Sequence, residues 1–455
     1  MSQRILFGTN GIRGIVNQDL TPEFAAKVGV AIGAYFGKKD ILIGYDARTS
    51  NILLSHAVAA GAMSCGCNVH ETGCAPTPAI QYAVKHLGMD GAIIVTASHN
   101  PPEYNGIKVV ASDGVEIVRE EEEKIEAIFF EERFSRVPWS DVGRLEAFPG
   151  VLEAYKEAIK GHVDVGAIQK RRFNVVVDPT NSVGALVTPD LLRELGCKVT
   201  TINGNLDGHF PGRTPEPRPD TLVQLSEAVK AFGADLGVAH DGDADRCMFA
   251  DEEGEIVLGD KTGCIIIDWV LERHPKAVVV TPVSSSRMVE DIVRRQGGEL
   301  VWTEVGSTIV SRRMLEVNSV ISMEDNGGIF YGPHQSVRDG AMAAALMLNI
   351  LAERGKPLSQ LVEELPRYSI IKERVEVPND QKQRVLQGIL EETKGLRRLT
   401  IDGVKISFDD ATVLIRPSGT EAIYRVNAEA GDEKRARKLA DWGIELVKKN
   451  LEASC

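Results

Sequence analysis

Cysteine is scarce in this chain. Seven in 455 residues (positions 65, 67, 74, 197, 247, 264 and 455) is a low and odd number, which excludes a disulfide framework and favours a reducing, cytoplasmic setting. Cys65, Cys67 and Cys74 follow no Cys-x-x-Cys spacing, so no zinc site is expected there. Long apolar runs are missing too. No segment reaches the ~18 residues of a membrane span, and the opening MSQRILFGTNG has no signal-peptide apolar region. Positive charge is in deficit, with 52 Lys and Arg against 65 Asp and Glu, net −13. That balance excludes general binding to nucleic acid or to an anionic membrane. A small anionic substrate stays possible, because a few arginines can dominate a local field. Neither G-x-x-x-x-G-K-[ST] nor G-x-G-x-x-G occurs, so ATP and dinucleotide readings lack their signature. No pattern speaks to an oligomeric state.

Glycine, by contrast, is plentiful at 43, as tight loops between strands and helices require. The length implies roughly three or four domains. Three stretches follow one plan: DILIGYDARTSN from residue 40, FNVVVDPTNSVG from 173 and KAVVVTPVSSSR from 276. Each offers an apolar run of strand length, a Ser- or Asn-bearing turn, an amphipathic helix, and a Gly before a second strand. Each later presents another short strand ending in polar residues: GAIIVTASHN, GADLGVAHDGD and NSVISMEDNG. Their endings, Ser98, Asp241 and Glu324, hold equivalent places in the plan. Ligands gather outside the carboxyl ends of strands in α/β sheets, so three equivalent loops should converge on one cleft. After about residue 367 the pattern becomes that of a smaller α+β domain. The expected units are 1–149, 150–251, 252–366 and 367–455. The acidic run REEEEKIEAIFFEERF, 119–134, reads as a solvated amphipathic helix.

HDGDADR, residues 240–246, is the strongest metal signal. In extended backbone Asp241, Asp243 and Asp245 would face one side. Three crowded carboxylates repel unless a cation neutralises them, and oxygen-only ligands suit Mg²⁺. A calcium EF-hand fails because Arg246 occupies the loop position that needs Gly. A phosphatase with an Asp nucleophile after a strand is a rival, and a solvated surface turn is the plainer alternative. TASHN, 96–100, places Ser98 beside His99 at a strand tip. A serine hydrolase would need a G-x-S-x-G elbow, which is absent. In an extended stretch His99 would also point away from Ser98. A phosphorylated Ser98, held against a metal, fits the carboxylates better; an ordinary capping loop is the simple alternative. RPSGTE, 416–421, offers Arg416, Ser418 and Thr420 around Gly419, the parts of a phosphate cradle. FGTNGIRG, 7–14, supplies glycines and Arg13; EDNGG and TEVGS are weaker loop signals.

In this order, F-G-T-N-G-I-R-G, T-A-S-H-N-P, D-G-D-A-D-R, E-D-N-G-G and R-P-S-G-T-E resemble the α-D-phosphohexomutase family, which includes phosphomannomutase/phosphoglucomutase and phosphoglucosamine mutase. The resemblance covers the whole chain. It implies an α/β fold of three related domains with mixed sheets, plus a C-terminal α+β domain like the TATA-binding protein, around one central cleft. It implies Ser98 as the phosphoserine and further metal ligand, with Asp241, Asp243 and Asp245 holding Mg²⁺. Arg13, Arg246 and His99 become supports of the phosphoserine, and Lys108 the candidate acid/base. Thr303, Val305 and Gly306 match a sugar-contacting loop, and Glu324 with Asn326 a hydroxyl-reading pair. Arg416, Ser418, Gly419 and Thr420 match the grip on the non-reacting phosphate. The implied reaction interconverts hexose 6- and 1-phosphates through a hexose 1,6-bisphosphate. Glucose and mannose phosphates differ only at the C2 hydroxyl, and the glucosamine phosphate is the alternative substrate. Two departures stand out. Asn326-Gly327-Gly328 replaces the S-G-H of many bacterial relatives, removing a histidine, and resembles archaeal variants acting on mannose and glucose. His334 and Lys108 are the candidates to cover that loss. The turn G-Y-D-A-R also differs at Tyr45 and Ala47.

Overall fold

The computed structural model describes residues 5–8, 11–419 and 421–452. Three of its four sheets repeat one hydrogen-bonded plan. In the first, Asp40–Tyr45 lies parallel to both Asn68–Cys74 and Gly91–Val95, and Tyr104–Ala111 returns antiparallel on Gly91–Val95. In the second, Asn174–Asp178 is parallel to Lys198–Thr201 and Leu236–His240, with Cys247–Ala250 antiparallel on the latter. In the third, Val278–Pro282 is parallel to Glu299–Thr303 and Ile321–Met323, with Ile329–Tyr331 antiparallel on the latter. Short extra strands lengthen the first sheet to six and the second to five. The fourth sheet is antiparallel throughout, in the order Ser369–Glu376, Ile423–Ala430, Ala411–Pro417, Val404–Ser407, Arg398–Leu399.

The plan explains where the polar loops fall. Apolar runs such as Gly91–Val95, buried at all five positions, are central strands sealed on both faces. Where polarity returns, the chain must leave the sheet. In each repeat that point is the turn of the same hairpin, between the third strand and the antiparallel fourth. Residues 96–103, 241–246 and 324–328 are those three turns.

Two details differ from expectation for physical reasons. In the second repeat the helix starts late, at Thr188, after a short tight turn at Val183–Leu186. Pro189 lies in its first turn, where the missing N–H breaks no ladder. The acidic run forms the helix Arg119–Phe130, but Glu126 is not solvated. Its Oε1 accepts from the backbone N–H groups of Leu6 and Phe7 at 2.8 and 2.9 Å, and Arg119 pairs with it at 2.5 Å. That carboxylate anchors the N-terminal segment to the first domain.

One apolar core runs from one face of the first sheet through the second and third. A separate core fills the other face of the first sheet, and the fourth domain has its own. Polar contacts join the fourth domain to the third. Lys405 Nζ donates to the carbonyls of Val283 and Ser285 at 3.0 and 2.9 Å. Glu429 accepts from the Ser286 hydroxyl and from Arg287 N. Within the third domain, at the edge of this seam, Asp260 accepts from Ser286 N at 3.0 Å. Burial, reinforced by Asp325, pushes the Asp260 carboxyl up to about 7. A raised carboxyl contributes its full stabilisation only below its ordinary value of 3.8, and that contribution declines from there until it is gone once pH has passed about 7. Asp260→Asn keeps the acceptor oxygen without the charge. Thermal denaturation should therefore show it raising Tm by roughly 2–4 °C more at pH 7.5 than at pH 5. An equal shift at both values contradicts the assignment.

Candidate active site

Ser98 is set by two buried charges from the turn after Asp40–Tyr45. Asp46 accepts from the Thr96 hydroxyl at 2.6 Å, and the Thr96 oxygen accepts from Ser98 N at 2.9 Å. Asp46 also pins Arg48, with Nε 3.2 Å from Oδ2. The Arg48 guanidinium then donates to four loop carbonyls: Ser98 (3.0 Å), Asn100 (2.7 Å), Pro101 (2.6 Å) and Tyr104 (2.8 Å). These bonds fold the loop back on itself and hold Ser98 at φ 49. The stretch is therefore not extended. His99 does not point away: its Nδ1 is 3.3 Å from the Ser98 oxygen. It is still no base for that hydroxyl. Nδ1 accepts from Arg246 Nη2 at 3.0 Å, and the Ser98 hydroxyl donates instead to Asp241 Oδ2 at 2.7 Å. Burial, then Arg246 and Arg13, lowers the His99 imidazole to about 2, so it is neutral.

The second loop is also a turn, with Ala244 at φ 56, so its aspartates converge by folding rather than by alternation along a strand. His240 fixes both ends. Its Nδ1–H donates to Arg246 O at 2.9 Å, and its Nε2 accepts from the Thr188 hydroxyl at 2.8 Å. One carboxylate oxygen from each of Asp241, Asp243 and Asp245 lies within 4.8 Å of the others. Each residue is at most 2% exposed. Asp243 Oδ2 accepts from Thr77 at 2.8 Å and Lys108 at 3.1 Å; Asp245 Oδ2 pairs with Arg338 at 2.5 Å. The Oδ1 atoms of Asp243 and Asp245 are buried with no hydrogen-bond partner. Burial and the two neighbouring carboxylates push the Asp241 carboxyl well above its usual range. Burial opposes ionisation of Asp243 too, but Lys108 and Arg338 outweigh it and hold that carboxyl low. Crowded acids, unsatisfied oxygens and an all-oxygen donor set fit a hard divalent cation. Gly242 permits the approach: a Cβ there would lie 2.4 Å from Ser98 O.

Above this floor lies a cleft of about 690 Å³. All four domains contribute arginines to its lining: Arg13, Arg246, Arg338, Arg416 and Arg425. Locally, therefore, the acidic protein presents a cationic surface. Arg13 donates to Asn100 Oδ1, and burial lowers its guanidinium to about 10, still charged at neutral pH. Val305, Gly306, Glu324, Arg416, Ser418 and Gly419 also line the cleft. Asp402 ties two of these segments together, accepting from Val305 N at 3.1 Å and Arg416 Nε at 2.5 Å. Asn326 is turned inward on its own loop, its Oδ1 accepting from Gly328 N at 3.1 Å. The Thr303 hydroxyl donates to Glu304 O, and Thr303 lines a neighbouring hollow rather than this cleft. Thr420 lies outside the described residues. His334 is not part of the lining; it packs among Tyr82, Tyr155 and His162, 3.4 Å from Asp339. Asp46, Arg48, Thr77 and Arg338 went unrecognised in the sequence; a buried Asp-x-Arg at a strand-to-helix turn was the available signal for the first two.

Four domain models of the phosphoglucomutase/phosphomannomutase family match in order: alpha/beta/alpha domains I, II and III over residues 4–136, 153–254 and 258–368, and the C-terminal domain over 373–442. The chain belongs to this family. It is 46% identical over 453 residues to a phosphoglucomutase/phosphomannomutase of Thermococcus kodakarensis, covering 98% of this chain and 99% of that one. It is 47% identical over 443 residues to a phosphoglucosamine/phosphogalactosamine mutase of Sulfurisphaera tokodaii, covering 96% and 97%. A Burkholderia thailandensis family member of known crystal structure superposes with a TM-score of 0.88 at 27% identity, covering 97% of each chain. Family membership and these relatives make the chain a hexose-phosphate mutase, an isomerase.

The Arg48 network yields a prediction. Arg48→Met should destabilise the protein by about 3 kcal/mol or more, since it strands a buried carboxylate and four carbonyls. Arg48→Lys should recover little, because one ammonium cannot reproduce the fork. Chemical denaturation measures both, and near-native stability in Arg48→Met contradicts the assigned role.

Proposed function

We propose that Ser98 carries the phosphoryl group and that the substrates are hexose 1- and 6-phosphates of glucose and mannose. The observation that carries this reading is the 2.7 Å contact between the Ser98 hydroxyl and Asp241, inside a buried cluster of three aspartates beneath an arginine-lined cleft. Asp241, Asp243 and Asp245 would hold Mg²⁺, with the Ser98 phosphate as a further ligand. When bound, Mg²⁺ neutralises charge on the phosphoryl oxygens during transfer.

The chain's own residues do the rest. Arg246 and Arg13, through His99 and Asn100, surround the serine with positive charge. The bond from Ser98 Oγ to phosphorus breaks as one forms from the free sugar hydroxyl; the buried Lys108 ammonium gives a proton to the departing serine oxygen and, as the amine so formed, takes up the proton of the sugar hydroxyl. The resulting 1,6-bisphosphate turns end over end. Its other phosphoryl group returns to Ser98 by the same exchange in reverse: Lys108 protonates the sugar oxygen released and takes the proton of the attacking serine hydroxyl. Arg416 with Ser418 and Gly419, and Arg425 beside Arg416 across the strand pair, grip the phosphate that does not react. Ser98 is 0% exposed, which supports exclusion of water from its phosphoester. The polar seam between the third and fourth domains suits a last domain that opens to admit substrate and closes over it. No helix among the described residues is long and apolar enough to cross a membrane, in keeping with a cytoplasmic enzyme.

Glu324 is the one acidic side chain among the described residues lining the cleft, and Arg338 already compensates it at 3.3 Å. No spare carboxylate awaits an ammonium at C2, which favours hydroxyl sugars over glucosamine phosphate. The Sulfurisphaera relative supports the amino-sugar alternative, and kinetics with the glucose, mannose and glucosamine 1-phosphates decide between them. Ser98→Ala should abolish turnover while leaving Mg²⁺ binding weakened but present. The phosphorylated wild type should survive acid and hydroxylamine, as a serine ester does. Label on an aspartate, or near-normal activity of Ser98→Ala, contradicts the reading.

A further inference from the structure

Gly328 stands where a side chain has no room. A Cβ there would lie 2.7 Å from Cδ and 3.1 Å from Cγ of Arg338, and 3.1 Å from Oε2 of Glu324. Its backbone is not among the left-handed glycines of the chain, so space rather than conformation demands the glycine. Arg338 fills that space. Its side chain enters from the turn before the helix Gly340–Arg354 and is 6% exposed. The guanidinium forks between two loops: Nη2 to Asp245 Oδ2 at 2.5 Å, Nη1 to Glu324 Oε2 at 3.3 Å. One planar cation thus joins the aspartate cluster to the hydroxyl-reading carboxylate, and it also lines the cleft.

We propose that Arg338 is a positioning residue that couples recognition of the sugar hydroxyls to the metal centre, and that Gly328 is the gap that admits it. This rests on the mutase reading above. By occupying Oδ2 of Asp245, Arg338 leaves Oδ1, which has no hydrogen bond and only Arg246 Nε at 4.0 Å, as that residue's available lone-pair atom. By holding Glu324 on the same rigid fork, it fixes the offset between the carboxylate that reads the sugar and those that hold the cation. A lysine offers one point charge and cannot set that offset. Two consequences separate this role from plain packing. Loss of the guanidinium should alter which sugar is preferred. It should also leave cation binding no weaker, because removing a positive charge beside an acidic cluster favours a second cation.

The test uses the full-length protein. Phosphoryl label from hexose 1,6-bisphosphate, found on Ser98 of the wild type, checks the underlying reading separately; its absence there overturns that reading. With label present, Arg338→Met should lose about a hundredfold in kcat/KM. The ratio of kcat/KM for glucose 1-phosphate to that for mannose 1-phosphate should move by about fivefold or more. Calorimetric Mg²⁺ binding without sugar should be unweakened. Arg338→Lys should fold and still show the altered ratio. Gly328→Ala should reproduce the altered ratio by displacing Arg338, yet add nothing in the Arg338→Ala background. Equal losses for both sugars with weakened Mg²⁺ binding overturn the proposal, as do wild-type turnover of Arg338→Met or additive losses in the double variant. If Arg338→Met does not fold, the Arg338→Lys and Gly328→Ala measurements decide on the same criteria.

Discussion

Carboxylates packed within 4.8 Å of one another and shut away from water are stable only if positive charge meets them, and most of this molecule is arranged to supply it. Lys108 reaches Asp243, Arg338 reaches Asp245, and Arg246 closes over Asp241 at 3.9 Å. These side chains come from the first, third and second domains. The aspartates share one turn of the second domain, but the cations that meet two of them belong to the first and third domains, so the cluster is compensated only where the three domains meet. The cluster therefore binds three domains into one body. The protein cations leave two buried aspartate oxygens without a hydrogen-bond partner, an all-oxygen donor set whose chemistry suits a hard divalent ion.

The triple repeat makes this convergence possible. A sheet element that ends a buried strand in a polar hairpin turn was used three times, and the three turns carry serine, aspartates and glutamate to one place. Close approach of the turns is settled by small residues. Gly242 abuts Ser98, and Gly328 abuts Arg338. Cys247 N donates to Gly327 O at 3.0 Å, so the second and third turns are hydrogen-bonded to each other. The fourth domain stands apart in its own core and meets the others through ionisable groups. Domains joined by polar contact separate more readily than domains sharing apolar surface.

The repeat, the fold class and the convergence of Ser98 with the three aspartates were legible because short-range patterns carry them: strand-length apolar runs broken by polar residues. The reasons read from the pattern were less sound. The alternation of polar residues predicts extended backbone in both key loops, whereas Ser98 and Ala244 have positive φ. The aspartates meet because the loop folds, and His99 approaches Ser98 rather than avoiding it. What stayed hidden depends on contacts between distant residues. Arg48 serves carbonyls some fifty positions away, Thr77 serves Asp243, and Arg338 serves Asp245 and Glu324. Only Arg48 sits in a recognisable local pattern, the Asp-x-Arg turn; Thr77 and Arg338 sit in none. The second glycine of EDNGG marks in the sequence only a missing histidine, and in the structure it also makes room for an arginine from ten residues further on.

Charge in the cleft completes the picture. A protein of net charge −13 gathers arginines from every domain around one cavity, so an anionic sugar phosphate would meet a positive surface there. The central claim is that one cation is shared between the aspartate cluster and a phosphoryl group on Ser98. Electron paramagnetic resonance of the phosphorylated protein, with Mn²⁺ in place of Mg²⁺, tests this directly. The account predicts one bound Mn²⁺ per chain with ³¹P hyperfine coupling from a coordinated phosphate, and loss of that coupling in Ser98→Ala while Mn²⁺ remains bound. Mn²⁺ bound to the phosphorylated protein without ³¹P coupling, or binding unaffected by Asp243→Asn, would contradict it.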